Sequence, residues 1–364
     1  MTNITSHPWI TILFCGAIMA FVNCCNKKES NTPTWSVTSF VKVDSVNPIL
    51  TAGNNKFICP VLNQEVLWDE KDVFNPAAVV KDGKVHLLFR AEDKIGKYAG
   101  TSRIGLAVSD DGLHFSKNPE PVLSPQNDSM KVFEWEGGIE DPRVVESDDG
   151  TYILTYTAYD GKTARLCIAT SKDLMQWTKH GLVLNGNFKD TWSKSGAIVA
   201  KEHDGRMIAH KINGRYWMYW GDTDLFMATS EDLIHWTPLQ ENGKLKSVLQ
   251  PRKGFFDSQL VESGPCALYT DAGVVLIYNG MNLDTRGDPN LPAGAYCLGQ
   301  ALFDLSDPSK LIDRLEKNFL MPDKDYEIKG QVNQVCFAEG LVHFKGKWFL
   351  YYGTADSRIA VAVN

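Results

Sequence analysis

Apolar and polar residues alternate in short runs along most of the chain, and turn residues rich in Asp, Gly and Asn interrupt the runs. A period near two with turn residues at both ends predicts strands and tight turns. One segment recurs. Ala107-Val-Ser-Asp-Asp-Gly-Leu-His-Phe115 returns as Ala169-Thr-Ser-Lys-Asp-Leu-Met-Gln-Trp177 and as Ala228-Thr-Ser-Glu-Asp-Leu-Ile-His-Trp236, at spacings of 62 and 59 residues. Each copy reads as an apolar strand, an Asp-containing turn and an aromatic residue that packs back on the sheet. A second series reads as hairpins, over residues 77–89, 143–156, 211–219, 267–278 and 341–352.

These hairpins recur roughly every 60 to 75 residues, and internal repetition at a fixed period is the signature of a repeat architecture. Units of about four strands each predict an all-β chain folded as a five-bladed β-propeller. Radial repetition also lets one domain reach this length. A β-sandwich is the alternative, but it would not repeat its turn motif at such a period. Ile359-Ala-Val-Ala-Val363 is a further strand, placed to pair with a segment near the N-terminus. Residues 308–317 are the one stretch of the main domain with a possible helical reading.

The start of the chain differs. Trp9 to Val22 is a short apolar stretch ending at Asn23-Cys24-Cys25. It is too short to span a membrane and fits the core of a signal peptide. The following cysteine predicts a lipoprotein site at Cys24 or Cys25. The n-region lacks Lys and Arg, and Asn23 is unusual before such a cleavage point. Residues 1–25 are therefore expected to be leader and anchor, 26–34 a polar tether, and 35–364 the propeller. Export and lipid anchoring to the envelope of a Gram-negative bacterium are the corresponding expectation.

Composition narrows the partners. The 364 residues carry a net charge of −7, with 10 Trp and 12 Tyr. No run of Lys and Arg with interleaved aromatics suggests nucleic acid. The aromatic surplus suits sugar rings as well as sheet cores. Cys59, Cys167, Cys266, Cys297 and Cys336 are scattered without a Cys-x-x-Cys spacing, so they read as buried apolar residues. No spacing of His or Cys calls for a metal, and no cofactor is implied. Oligomeric state is left open.

A propeller gathers the ends of its inner strands at the axis. The polar groups expected there are Asn75, Arg90 to Asp93, Glu140-Asp-Pro-Arg143, Lys194-Ser195, Asp222, Asp224, Glu262 and Asp356. Glu140-Asp141-Pro142-Arg143 is the sharpest of these. It combines two carboxylates, a rigid Pro and an Arg able to hold a carboxylate bidentately.

Gly138-Ile-Glu-Asp-Pro-Arg-Val144 resembles the signature of glycoside hydrolase family 130, the mannoside phosphorylases and hydrolases. So do Phe74-Asn-Pro76, Leu88-Phe-Arg-Ala-Glu-Asp93, Arg103-Ile-Gly-Leu-Ala107 and Tyr351-Tyr-Gly-Thr-Ala-Asp356, in order along the chain. The resemblance implies a five-bladed propeller that inverts the anomeric centre, with Asp141 as general acid acting through a sugar hydroxyl. It implies that Arg90, Asp93, Arg143 and Asp356 hold a mannose ring. Asn75, Lys194, Tyr278 and Asn279 are further expected substrate contacts.

The nucleophile is the open point. Phosphorylases of this family bind phosphate with a basic cluster. Here Lys211-Ile-Asn-Gly-Arg-Tyr216 leads to Trp220-Gly221 where phosphorylases place His and Arg, and Tyr278-Asn279-Gly280 replaces Tyr-His-Gly. A phosphate dianion needs several fixed cations or N–H donors. Water needs a carboxylate to deprotonate it, and Glu262 and Asp222 are the candidates. The expectation is an inverting β-mannosidase cleaving β-1,2 or β-1,4 linkages of oligosaccharides or glycans. A phosphorylase releasing mannose 1-phosphate and a non-catalytic glycan-binding propeller are the alternatives.

Overall fold

A computed structural model describes residues 1–2, 33–37, 39–98, 100–284 and 286–364. Residues 3–32, which hold most of the leader, both candidate anchor cysteines and most of the tether, lie outside the described residues. Among those described, the chain is almost entirely β. Its helices are Lys131–Glu134, Asp325–Ile328 and the 3-10 turn Gly186–Phe188.

Antiparallel meanders succeed one another. Asp72–Lys81, Lys84–Glu92, Ser102–Ser109 and Ser116–Lys117 pair in order. Gly138–Glu146, Tyr152–Tyr159, Ala164–Ser171 and Thr178–Leu182 repeat the pattern. Ala197–His203, Tyr216–Trp220, Leu225–Ser230 and Trp236–Pro238 follow. Leu260–Ser263 and Ala267–Thr270 both pair with Gly273–Met281, which leads to Tyr296–Phe303 and Leu311–Arg314. The last meander is Cys336–Phe344, Lys347–Thr354 and Arg358–Val363, completed by Val41–Lys42 from the other end of the chain. The predicted pairing of the C-terminal strand with an N-terminal segment is therefore present. The possible helix over 308–317 is not. Leu311–Arg314 is extended because it hydrogen-bonds to the edge of Tyr296–Phe303.

The recurrent turn motif has a physical basis. The Oγ of Ser109, Ser171 and Ser230 accepts backbone N–H groups two and three residues on. Asp111, Asp173 and Asp232 each accept two more through Oδ1. These side chains satisfy turn donors that no strand reaches. Trp177 and Trp236 then donate their indole N–H to the carbonyls of Leu174 and Leu233.

Apolar clusters fill the space between adjacent meanders. Strands such as Tyr152–Tyr159 are covered on both faces, so their alternation is muted. Each fully buried Leu, Ile or Val contributes about 1.5–3 kcal/mol. Among the described residues Cys59, Cys167, Cys266, Cys297 and Cys336 are buried free thiols, as expected.

Candidate active site

Three first strands of the meanders carry a bulge. Register slips between Phe74 and Pro76, between Glu140 and Arg143, and between Ala338 and Gly340. The residues thus set outside the ladder are Asn75, the pair Asp141-Pro142, and Glu339. Asn75 and Asp141 have φ of 47° and 48°, the left-handed region that Asn and Asp tolerate best among non-glycine residues. Pro76 and Pro142 lack the N–H that a regular ladder would require, which a bulge excuses. Ser195 and Asp356, at φ of 61° and 49°, are turned in the same way.

Asp141 is buried at the centre of this group. Its Oδ1 accepts from Asn75 Nδ2 at 2.9 Å and from Arg90 Nη1 at 3.1 Å. Lys194 Nζ lies 3.5 Å from its Oδ2 and 3.3 Å from Glu262 Oε1. Those two contacts cap the separation of the facing carboxylate oxygens at 6.8 Å. Ser195 donates its hydroxyl to Glu262 Oε1. Arg90 also reaches Glu140 Oε1 at 3.0 Å and Glu92 Oε1 at 2.7 Å.

The carboxylates diverge electrically. Burial alone would raise Asp141, but Arg90, Lys194 and the Asn75 amide outweigh it and hold the group well below the usual range. Burial pushes Glu262 up, Lys194 pulls it partly back, and the charge of Asp222 pushes it up again. Burial likewise drives Asp356 up to about 7.

Several expected substrate contacts have other roles. Asp93 accepts from Arg103 at 2.6 Å and from the backbone N–H groups of Gly96 and Thr101, so it ties down a loop. Arg143 is buried. It donates to the carbonyls of Gly264, Ser263 and Asp141 and pairs with Glu339 at 3.1 Å. Tyr278 is a core residue whose hydroxyl donates to Asp257. Asn279 bridges strands, donating to the carbonyls of Ser263 and Ala338 and accepting from Ala338 N–H. These four fix the frame around the carboxylates because their polar atoms are already engaged by backbone or by buried charge. Asp222 accepts the Trp192 indole N–H at 2.7 Å.

Two groups escaped sequence reasoning. Glu339 is fully buried beside Arg143, and burial raises its pKa well above the usual carboxylate value. No turn or Pro marks it in Phe337-Ala-Glu-Gly340; only the bulge does. Tyr296 lies among the charges of Glu262, Lys194 and Asp356, and burial raises its phenol.

The cations of the site are already committed. Arg90 and Lys194 face carboxylates, and Arg143 faces carbonyls and Glu339. Lys211 lies 4.8 Å from the centroid of the exposed hairpin's Tyr216, and Arg215 faces Glu231. Trp220, where phosphorylases are expected to carry His, is buried and packs on Phe226 at 5.0 Å.

The model of glycoside hydrolase family 130, described as beta-1,4-mannooligosaccharide phosphorylase, matches residues 60–364. The chain belongs to glycoside hydrolase family 130. One family 130 relative, a 1,2-beta-oligomannan phosphorylase of Thermoanaerobacter sp. (strain X514), is 34% identical over 305 residues, 81% of this chain and 90% of the relative. A glycosyl hydrolase structure from Bacteroides ovatus is 46% identical with a TM-score of 0.88, covering 91% of this chain and 95% of that one. Another solved structure accompanies the statement that the GH130 family of mannoside phosphorylases contains glycoside hydrolases targeting beta-1,2 mannosidic linkages in Candida mannan. It is 45% identical with a TM-score of 0.89, covering 91% of this chain and 95% of that one.

Proposed function

We propose that this family 130 enzyme is an inverting glycoside hydrolase that cleaves β-mannosidic linkages on a five-bladed propeller. The successive four-stranded meanders are read as its blades. The observation that carries the reading is Glu262, seated by Ser195 and Lys194 and facing Asp141, while each site cation is already engaged by a carboxylate or carbonyl. A phosphate dianion would have to displace those partners, whereas a water molecule needs only a base.

In this reading Arg90, Asn75 and Asp356 hold the mannose ring beside Asp141. Glu262 takes a proton from water on the opposite side, and Asp141 supplies one to the leaving oxygen through a sugar hydroxyl. The free site keeps Asp141 ionised. Substrate entry excludes water and so works toward its protonation. Activity is expected to fall at low pH as Glu262 is protonated through its raised pKa.

A mannoside phosphorylase is the second reading. The name of the curated relative favours it more than it favours hydrolysis, while the similar solved structures described as hydrolases and the engaged cations favour water. Incubation with β-1,2- and β-1,4-mannobiose, with and without phosphate, separates the two. Free mannose at equal rates in both buffers supports the hydrolase. Mannose 1-phosphate formed only with phosphate rejects it. Sugar binding without cleavage would leave a glycan-binding propeller.

We also propose export and lipid anchoring through Cys24 or Cys25. Labelling cells with a palmitate analogue tests it. Label lost in Cys24→Ala or in Cys25→Ala names the anchor, and an unlabelled wild type rejects it.

A further inference from the structure

Beside the buried carboxylates lies a row of aromatic rings that the proposed chemistry does not use. Tyr98 meets Tyr159 edge-on at 6.4 Å between centroids, and Tyr159 meets Trp192 edge-on at 6.3 Å. Trp192 is 48% exposed and Tyr98 36%. Trp192 and Tyr98 thus leave amphipathic ring surface open to solvent, and such rings are favoured where one face is apolar and the rim is wet.

The row is tied to the site at its middle and at its Trp192 end. Tyr159 pairs with Gly138 in the strand that carries Asp141, and the charge of Glu140 acts on its phenol. Trp192 precedes Lys194 and Ser195 by two and three positions, and its indole N–H is fixed on Asp222. The rings are also seated by the backbone. A side chain at Gly161 would collide with the ring of Tyr98, and one at Gly137 with the ring of Tyr159. At the Trp192 end an open depression of about 530 Å³ is lined by Trp192, Gly221, Asp222, Thr223, Asp224 and Phe226. That volume is in the ~300–1,000 Å³ range of small-ligand sites.

We infer that this ledge is the binding surface for the sugar beyond the scissile bond, with Trp192 as the stacking face and Asp222 as the residue that positions it. The inference rests on the proposed mannoside chemistry and adds to it the place of the leaving group. A pyranose presents C–H bonds on one face and hydroxyls at its rim. The indole suits the first, and Asp222 and Asp224, which line the depression, suit the second. Asp222 then acts through Trp192, and Glu262 alone activates water.

The test is steady-state kinetics on mannobiose and mannotriose, together with calorimetric titration of mannotriose. Trp192→Ala and Asp222→Ala are expected to raise KM for mannotriose at least tenfold and change kcat less than threefold. Asp222→Asn retains an oxygen that accepts from the indole and should recover most of the loss. An unchanged KM in Trp192→Ala overturns the inference. So does a hundredfold fall of kcat in both Asp222 variants, which would make Asp222 a base. If wild type cleaves neither sugar, the functional reading fails by itself. Titration then decides the ledge: Kd for mannotriose weakened tenfold in Trp192→Ala supports it, and an unchanged Kd or no binding overturns it.

Discussion

Asp141 and Glu262 face each other across one lysine, are both buried, and yet are driven in opposite directions. Asp141 has Arg90, Lys194 and Asn75 on its oxygens. Glu262 has Lys194 and a neutral hydroxyl, with the charge of Asp222 nearby. Burial penalises both, so the number of donors decides the outcome. The difference teaches that a carboxylate-rich pocket sorts its protons by how cations are shared. The group expected to donate a proton is the one the empty pocket keeps ionised, so the substrate itself must complete the acid.

The largest effects should come from removing either member of the pair. Asp141→Asn and Glu262→Gln are each expected to lower kcat on mannobiose by about 10²–10⁴-fold, the usual contribution of a general acid or base. Circular dichroism would check that both variants stay folded. A loss of less than tenfold in either would break the pairing of roles.

Asn75→Ala removes a hydrogen bond to a charged group, worth about 1.5–3 kcal/mol. A roughly tenfold to hundredfold fall in kcat/KM should accompany a rise in the Asp141 pKa, followed by NMR titration of its carboxyl. A pKa that stays put would mean the cations alone hold Asp141 down.

Asp356 sharpens the contrast through stability. Burial pushes it up to about 7, so between about pH 4 and pH 7 the folded protein binds a proton that the unfolded chain has lost. Stability from this group is present at low pH and is lost as pH rises through that window. Asp356→Asn should therefore gain stability relative to wild type from pH 4 to pH 8, by roughly 1–4 kcal/mol. Thermal unfolding across pH measures it, and a constant difference would contradict it.

Ser195→Ala also removes a hydrogen bond to a carboxylate, worth up to about 1.5–3 kcal/mol, but Lys194 stays on Glu262 and offsets part of it, so a roughly threefold to tenfold fall in rate, the smallest of the series, is expected. Its hydroxyl favours charged Glu262, so the acid limb of the pH–rate profile should move to higher pH. A shift to lower pH would assign that limb to another group.

Much of this was legible in the sequence. The recurring Ser-x-Asp turns announce three of the five meanders because the same side chains cap the turn in each of the three. Asn75, Arg90, Asp141, Lys194 and Glu262 lie at strand ends or before Pro, where polar residues need a reason, and the structure gathers them. Asp93, Arg143, Tyr278 and Asn279 are expected from their motifs to touch sugar, but a motif gives adjacency and not direction, and the polar atoms of all four are engaged within the fold. Adjacent strand residues point to opposite faces, so Tyr278 enters the core while its neighbour Asn279 bridges two strands. Glu339 was invisible because its bulge arises from a mismatch with the partner strand, which no local pattern records.

The bulges at Asn75, Asp141 and Glu339 have a consequence for how such a site changes. A residue inserted outside the ladder belongs to neither alternating face. It can be exchanged without altering the apolar count on either side of its strand, and its neighbours keep their partners. Chemistry and folding are thus written in separate registers of the same segment. A single scaffold can pass from one acceptor molecule to another by editing the first and leaving the second untouched.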